Sequence, residues 1–544
     1  MKKVLSLALC LILALSMFAI VPMTASAAEA ELSPTAATSG KTGECTWSLD
    51  GTVLTISGNG SMGHYAISGR SPWGPSITRL VIKNGVTDIG NFGFFGCNEL
   101  SSVVIPGSVT KIGMYAFCGC KSMKSFTIPD TVTDIGIHAF SSCSGLENLT
   151  IGSSFSSYLY GVFDGCSSLK SITVSKNNKV YDSRDNCNAI IETKTNSLLL
   201  GCKNTVIPNS VTSIGSEAFA GCNSLENITV PDSVTSIGYD AFAGCNCLEN
   251  ITVPDSVTNI GSGAFSDTPW YDNQPDGLVY AGKVAYEYKG SCPASVEIKE
   301  GTVSIADFAF SDCSELEEVS IPDSVISIGN GAFDDTLWYD NQPDGLVYAG
   351  KVVLGFKNYW DNYYESAEID EGTLGIADSA FSYCSDLEEV IIPDSVVRIG
   401  DYAFDNCENL ASVTIPASVT SIGDSAFGYT IDDNTGLTVK VNGFSICGYN
   451  GTAAEQYAND NGFTFISLGD KPSGMILGDA DNDGEVTILD ATVIQRTIAE
   501  LPTVSYNEAA ADADQDNSVT IMDATSIQRH IAELPTNENI GKPI

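Results

Sequence analysis

Residues 248–260 read LENITVPDSVTNI and run on into Gly261-Ser262-Gly263-Ala264-Phe265. Branched residues flank Thr252 at Ile251 and Val253, which predicts a short strand. Pro254-Asp255 predicts the bend that ends it. The unit recurs as I-G-x-x-A-F-x-x-C followed by L-x-x-V/I-x-I/V-P-x-S-V-x-x-I. Its phenylalanine stands at Phe94, Phe117, Phe140, Phe163, Phe219, Phe242, Phe265, Phe310, Phe333, Phe381, Phe404 and Phe427. Most steps are 23 residues, a solenoid period. No single rung could bury its Ile, Val, Leu, Phe and Ala alone, so the rungs must share one continuous core. With strands stacked about 4.8 Å apart, a dozen or more rungs predict a rod or gentle arc on the order of 60–80 Å long.

Cysteine holds one register position at Cys97, Cys120, Cys143, Cys166, Cys222, Cys245, Cys313, Cys384 and Cys407. Ligands for a metal would converge, whereas these form a ladder, so they are expected as buried, reduced, apolar packing. Cys187 and Cys202 do not repeat and could pair. Thr268, Thr336 and Thr430 stand where the ladder wants cysteine, and there the period stops. After the first comes WYDNQPDGLVYAGK at 270–283, after the second the same sequence at 338–351. Asp276-Gly277 and Ala281-Gly282 mark turns around a strand at 278–280, which predicts a hairpin in each copy. This organisation resembles the BspA-like leucine-rich-repeat family of bacterial surface and secreted proteins, over about residues 43–468. Cys45-Thr46-Trp47 through Trp73-Gly74-Pro75 looks like the family's N-terminal β cap. Residues 446–468 look like its C-terminal cap, with a short helix at 452–459. The resemblance implies a β-rich solenoid used for adhesion or protein contact, without naming a ligand.

Lys and Arg total 26 against 67 Asp and Glu, a formal charge of −41. Such a surface repels nucleic acid and anionic membranes. Lys2-Lys3, the apolar run 4–19 and Ala25-Ser26-Ala27 predict a cleaved signal peptide and an extracellular or cell-surface location. Cys10 follows Leu9, a poor lipoprotein site, and no other run could span a membrane. The expected organisation is a signal peptide at 1–27, the N-terminal β cap at 28–85 and repeats at 86–430. Insertions fall at 175–208, 268–300 and 336–372. A C-terminal cap at 431–468, a linker at 469–477 and a last module at 478–536 complete it.

That last module is acidic. Asp479, Asp481 and Asp483 alternate, Glu485 and Thr487 follow, and Asp490 closes the loop at position 12, the spacing of an EF-hand calcium loop. Alternation suits a tightly wound loop that turns every second side chain onto a hard cation. The device returns as Asp512, Asp514, Asp516, Ser518, Thr520 and Asp523, so two calcium ions are expected. A helix follows each loop, with Ile488, Ala491, Ile494, Ile498 and Leu501 on one face. Ile521, Ala524, Ile527, Ile531 and Leu534 repeat it. These faces are expected to pack the two half EF-hands together, with Ile488 and Ile521 in the core. The module resembles a type I dockerin, by which cellulosomal proteins bind cohesins on a scaffold protein. The resemblance implies cohesin-facing residues at Ile488, Leu489, Gln495 and Arg496, and at Ile521, Met522, Gln528 and Arg529. The fold class expected is thus a β-rich leucine-rich-repeat solenoid with caps at both ends, plus a small all-α dockerin of two calcium-loop–helix repeats.

No aperiodic stretch is long enough for a hydrolase domain. The three histidines, His64, His138 and His530, are scattered, so a Ser-His-Asp or Cys-His site is not expected. Asp88, Asp134 and Asp424 fall at variable rung positions and read as solvated charge. The expectation is a secreted, non-catalytic adhesion protein docked by calcium-dependent cohesin binding onto a polysaccharide-degrading, cellulosome-like complex. Its repeats would contact a partner protein. The alternatives are a carbohydrate-binding accessory and, behind it, a glycoside-hydrolase-associated activity. A glycan reading would use Trp270, Tyr271, Trp338, Tyr339, Tyr359 and Trp360, although a duplicated Trp-Tyr pair at an insertion's base is more often structural.

Overall fold

The structure is a computed structural model of the chain. It describes residues 38–67, 71–357, 364–431, 437–470, 477–481, 486–499, 501, 506–515, 518–532, 534–537 and 539–540. The leader, Asp483, Glu485, Asp516, Tyr359 and Trp360 lie outside the described residues.

Each regular rung contributes a three- or four-residue strand and a two-residue strand, both paired in parallel with the next rung. Asn227–Thr229 pairs with Asn250–Thr252, and Ser236–Ile237 with Asn259–Ile260. Sequence letters map onto rung-to-rung bonds. The serine of P-x-S donates to the preceding rung's carbonyl, as Ser256 Oγ does to Val234 O at 2.9 Å. The ladder phenylalanine N–H donates to the next rung's alanine carbonyl, 2.8 Å from Phe242 to Ala264. Its ring stacks on its neighbours, with 4.9 Å between Phe219 and Phe242 and 5.8 Å between Phe242 and Phe265. The glycine of I-G is required where Asp401 N–H donates to Asp378 Oδ1 at 2.8 Å. A Cβ on Gly400 would sit 2.3 Å from that oxygen.

The cysteine ladder has a bonding role beyond filling space. Cys120, Cys143, Cys166, Cys245 and Cys407 each point Sγ at the carbonyl of a phenylalanine 26 residues earlier, at 3.1–3.4 Å. Burial pushes thiols such as Cys143 and Cys245 up to about 12. One ladder member departs from expectation: Cys313 is bonded to Cys292, with Cα atoms 5.2 Å apart. Cys187 and Cys202 are both free and buried. A thiol reagent applied to native, unreduced protein should therefore label exposed Cys247 and spare the buried ladder. At a pKa near 12 only about one thiol in ten thousand is thiolate at pH 8. Mass spectrometry finding most ladder thiols labelled before unfolding would contradict this packing.

Both ends of the phenylalanine column are closed by residues the periodicity does not contain. Trp73 stacks on Phe94 at 5.6 Å and meets Trp47 edge-on at 6.0 Å, so the N-terminal strands Cys45–Asp50 and Val53–Gly58 cover the first rung. At the far end the helix Ala453–Asn461, two residues longer at its C-terminus than expected, sets Tyr457 edge-on to Phe427. The Tyr457 hydroxyl accepts from Phe427 N–H at 2.9 Å and donates to Phe427 O at 3.1 Å, replacing the missing next rung. Tyr286 serves Phe265 in the same way, accepting its N–H at 3.1 Å.

Both hairpins form, Gly277–Ala281 with Val284–Lys289 and Gly345–Ala349 with Val352–Lys357. Their second strands take a rung's place, pairing in parallel with Ser304–Ile305 and Gly375–Ile376. Thr268 and Thr336 explain why the ladder stops there. Each accepts from the N–H of Tyr271 or Tyr339, capping the short helices Pro269–Asp272 and Leu337–Asp340. Each also donates to its own rung's phenylalanine carbonyl, at 2.6 and 2.7 Å.

The column of two-residue strands breaks at the irregular stretches into four sheets. The expected rod or gentle arc is in fact a tight curl, since rungs far apart in sequence touch. Asn259 Nδ2 donates to Asp401 Oδ2 at 3.3 Å across 142 residues. Arg398 Nε reaches Ser327 Oγ, 71 residues away, at 2.9 Å. Gly375 permits this, since a Cβ there would lie 2.1 Å from Ile326 O. Carboxylates on the inner side are consequently not simple solvated charge. Burial, then the Asp401 carboxylate, pushes Asp378 well above the usual range, and burial lifts Asp307 to about 6. Asp424, expected in solvent, donates its N–H to Asp401 Oδ1 at 2.8 Å and is pushed up by partial burial and by Asp401.

Candidate calcium and docking site

The site begins with a helix cap used twice. Thr487 precedes the helix Ile488–Ile498, and Thr520 precedes Ile521–Ile531. Each hydroxyl accepts from the second helical N–H, Leu489 or Met522, at 3.1 Å. Asp490 and Asp523 return the contact, accepting from Thr487 N–H and Thr520 N–H at 2.7 Å, a reciprocal box that fixes where each helix starts. Their other oxygens accept from Asp481 N–H at 3.1 Å and Asp514 N–H at 3.0 Å. The loops are thereby wound so that Asp479, Asp481 and Asp490 bring carboxylate oxygens within 4.8 Å of one another. Asp512, Asp514 and Asp523 do the same.

Three carboxylates so close repel unless a cation sits among them. Asp479, Asp490 and Asp523 are also almost wholly shielded from water. All-oxygen donors in a tight loop are the chemistry of a hard divalent cation, so the residues present fit calcium. The hydroxyls of Thr487 and Thr520 act as helix caps, and Ser518 is a described loop residue with partners of its own.

The two helices pack through Ala491 and Ile494 on one and Ala524 and Ile527 on the other, joined by Leu477, Ala480, Ala511, Ala513 and Ile540. The expected apolar face is therefore half right. Ile488 and Ile521 are not core: they are 55 and 53 % exposed, and Leu489 and Met522 beside them 56 and 58 %. Ile498, Leu501, Ile531 and Leu534 are exposed as well. Small alanines let the helices approach closely, which leaves the outer isoleucines and leucines outside the contact. Gln495 and Arg496, like Gln528 and Arg529, lie in the last turns of these helices. Arg529 Nε donates to Pro535 O at 2.7 Å, and Arg496 is likewise partnered.

The insertion aromatics are built into the rungs. Trp270 packs on Phe265 with ring centres 4.7 Å apart, and Trp338 on Phe333 at 4.6 Å. Tyr271 lies edge-on to Tyr286, under a Lys289 ammonium that donates to the Tyr271, Asp272 and Gln274 carbonyls. Tyr339 joins the core between Phe333 and the second hairpin. Among the described residues no helix is long and apolar enough to cross a membrane.

A capped solenoid of short parallel strands, followed by a pair of loop–helix units, is the architecture of a leucine-rich-repeat protein carrying a docking module. The profile of the BspA type leucine rich repeat region matches residues 73–191, 190–273, 282–341 and 356–442, and the chain belongs to that family. The dockerin type I domain matches residues 477–532; domains of this type bind calcium and bind cohesins. No curated protein matches the chain. Among solved structures it is similar to a leucine-rich repeat protein from Eubacterium ventriosum, at 20 % identity over 72 % of this chain and 94 % of that one, with a TM-score of 0.33. It is also similar to a leucine rich cell surface protein from Faecalibacterium prausnitzii, at 23 % identity over 73 % of this chain and 96 % of that one, with a TM-score of 0.28. A leucine-rich repeat protein from Bacteroides ovatus shares 20 % identity over 78 % and 98 %, with a TM-score of 0.29.

Proposed function

We propose that this is a secreted, non-catalytic binding protein, docked through two calcium ions and one cohesin onto an extracellular scaffold, with the repeats as the surface it displays there. One observation carries the docking: two matched carboxylate triads, each opening a helix whose first two residues are exposed and apolar. Exposed large apolar pairs on a small acidic module mark a protein contact. Solenoid and dockerin modules are typically non-catalytic, which agrees with the scattered histidines. Docking to an assembly that degrades polysaccharide is the setting such a module suits.

Ile488-Leu489 corresponds in position to Ile521-Met522, and Gln495-Arg496 to Gln528-Arg529, so exchanging the two loop–helix units would present nearly the same surface. Either half can then face the cohesin. Leu489→Asp or Met522→Asp alone should weaken binding only about twofold, since losing one of two equal modes costs well under 1 kcal/mol. The double substitution should cost far more than the sum, as expected of alternative sites. Titration of the three variants against a type I cohesin checks this. A single variant as damaging as the double would mean that one face alone is used.

A further inference from the structure

We infer that the tyrosine-rimmed cleft on the inner side of the curl binds a neutral oligosaccharide. The phenylalanine column is interrupted between Phe163 and Phe219, where the strands Ile190–Glu192 and Ser197–Leu200 replace a regular rung. The interruption leaves a cavity of about 250 Å³ floored by Leu159, Phe163 and Leu199, with Asp164 and Glu217 on its wall. It adjoins a second cavity of about 420 Å³, the two sharing Gly215 and Ser216. The second is lined by the hydroxyls and amides of Ser213, Ser236 and Asn259, by Asp401 on the opposite arm, and by Tyr239 and Tyr402.

Four tyrosines mark this cleft. Tyr158 is 79 % exposed, and Tyr160 covers only one face of its ring, with centres 6.3 Å apart. Tyr239 and Tyr402 are each about half exposed; Tyr239 is within electrostatic reach of Tyr160, and Tyr402 of Tyr158. A flat apolar ring left open to water beside hydroxyl, amide and carboxyl groups is complementary to a sugar. The C–H face of a pyranose covers the ring while its hydroxyls take the hydrogen bonds, the apolar-plus-few-polar pattern of a small-ligand site.

The surrounding charge chooses among ligands. Asp164, Glu217, Asp240 and Asp401 repel phosphate and uronate. Burial lifts Glu217 to about 7, so it is not a fully charged trap for a cation, and burial pushes Asp240 up as well. A carboxyl near its midpoint can donate to one hydroxyl and accept from another. The inference rests on the repeats being the displayed surface, and it does not depend on docking.

The test is calorimetric titration of the secreted chain in calcium with cellohexaose, xylohexaose and mannohexaose, and separately with hexalysine. A cohesin titration of the same preparation keeps the two readings distinguishable. Saturable binding of at least one hexasaccharide is expected. Tyr158→Ala and Tyr402→Ala should each weaken it at least about tenfold, or ~1.4 kcal/mol, while Tyr158→Phe, which keeps the ring, should leave it intact. Unchanged circular dichroism would exclude misfolding of these surface variants. Three results would overturn the inference: no hexasaccharide binding at millimolar concentration, binding indifferent to both alanine variants, or tyrosine-dependent capture of hexalysine alone. Cohesin binding alongside any of these would leave the docking account standing.

Discussion

Chelating calcium in the intact chain should unfold the helices Ile488–Ile498 and Ile521–Ile531 and leave the solenoid folded. The reason is the size of what those helices share. Their core is nine buried residues, five of them alanine, too little apolar area to hold a small module without a staple. Set against it are carboxylates that the loops hold within 4.8 Å of one another, with Asp490 and Asp523 fully buried. An ion bound only by the folded loops, at a thousandfold above its dissociation constant, contributes about 4 kcal/mol, and two such ions contribute twice that. The rungs contain no comparable triad among the described residues and have no reason to respond. Hydrogen exchange read by mass spectrometry should show protection lost at 488–498 and 521–531 and kept at the ladder alanines 116, 139, 241 and 264. Equal protection with and without chelator would contradict the calcium reading.

Phe242→Ala should cost about 3–5 kcal/mol, the usual loss for a buried phenylalanine. Its ring is fully buried and stacked on both neighbours, so no side chain can turn to fill the space. Stability in a solenoid passes between adjacent rungs. The lesion should therefore lower protection most at the rungs of Phe219 and Phe265 and least near the end caps. A denaturation midpoint within error of the parent would show that the column is not the core.

The column and the twin hairpins were legible because each follows from local spacing, a 23-residue repeat and a glycine turn, whereas the caps were legible only through the family resemblance. The curl was not. It depends on Arg398 reaching Ser327 over a glycine at 375, and on Asn259 meeting Asp401, contacts between residues 71 and 142 apart that no period encodes. Helical spacing showed which residues share a face in the last module, but not how wide the contact would be. Two alanines per interface narrowed it and put Ile488 and Ile521 outside. The Cys292–Cys313 bond had a faint signal. The first insertion carries a cysteine where its twin, 68 residues on, has Trp360. The same comparison sets Tyr286, which caps Phe265, against Leu354 in the twin. In the acidic loops the spacing pointed to the carboxylates the structure gathers, Asp479, Asp481 and Asp490 and again Asp512, Asp514 and Asp523, because a wound loop needs only its own residues.

One titration bears most directly on the whole account: the intact chain against a panel of type I cohesins, in calcium and again in chelator. Saturable binding to at least one cohesin in calcium, abolished by chelator and absent from a chain ending at residue 470, is the predicted result. Binding to none of them, or binding that survives chelation and the truncation alike, would contradict it.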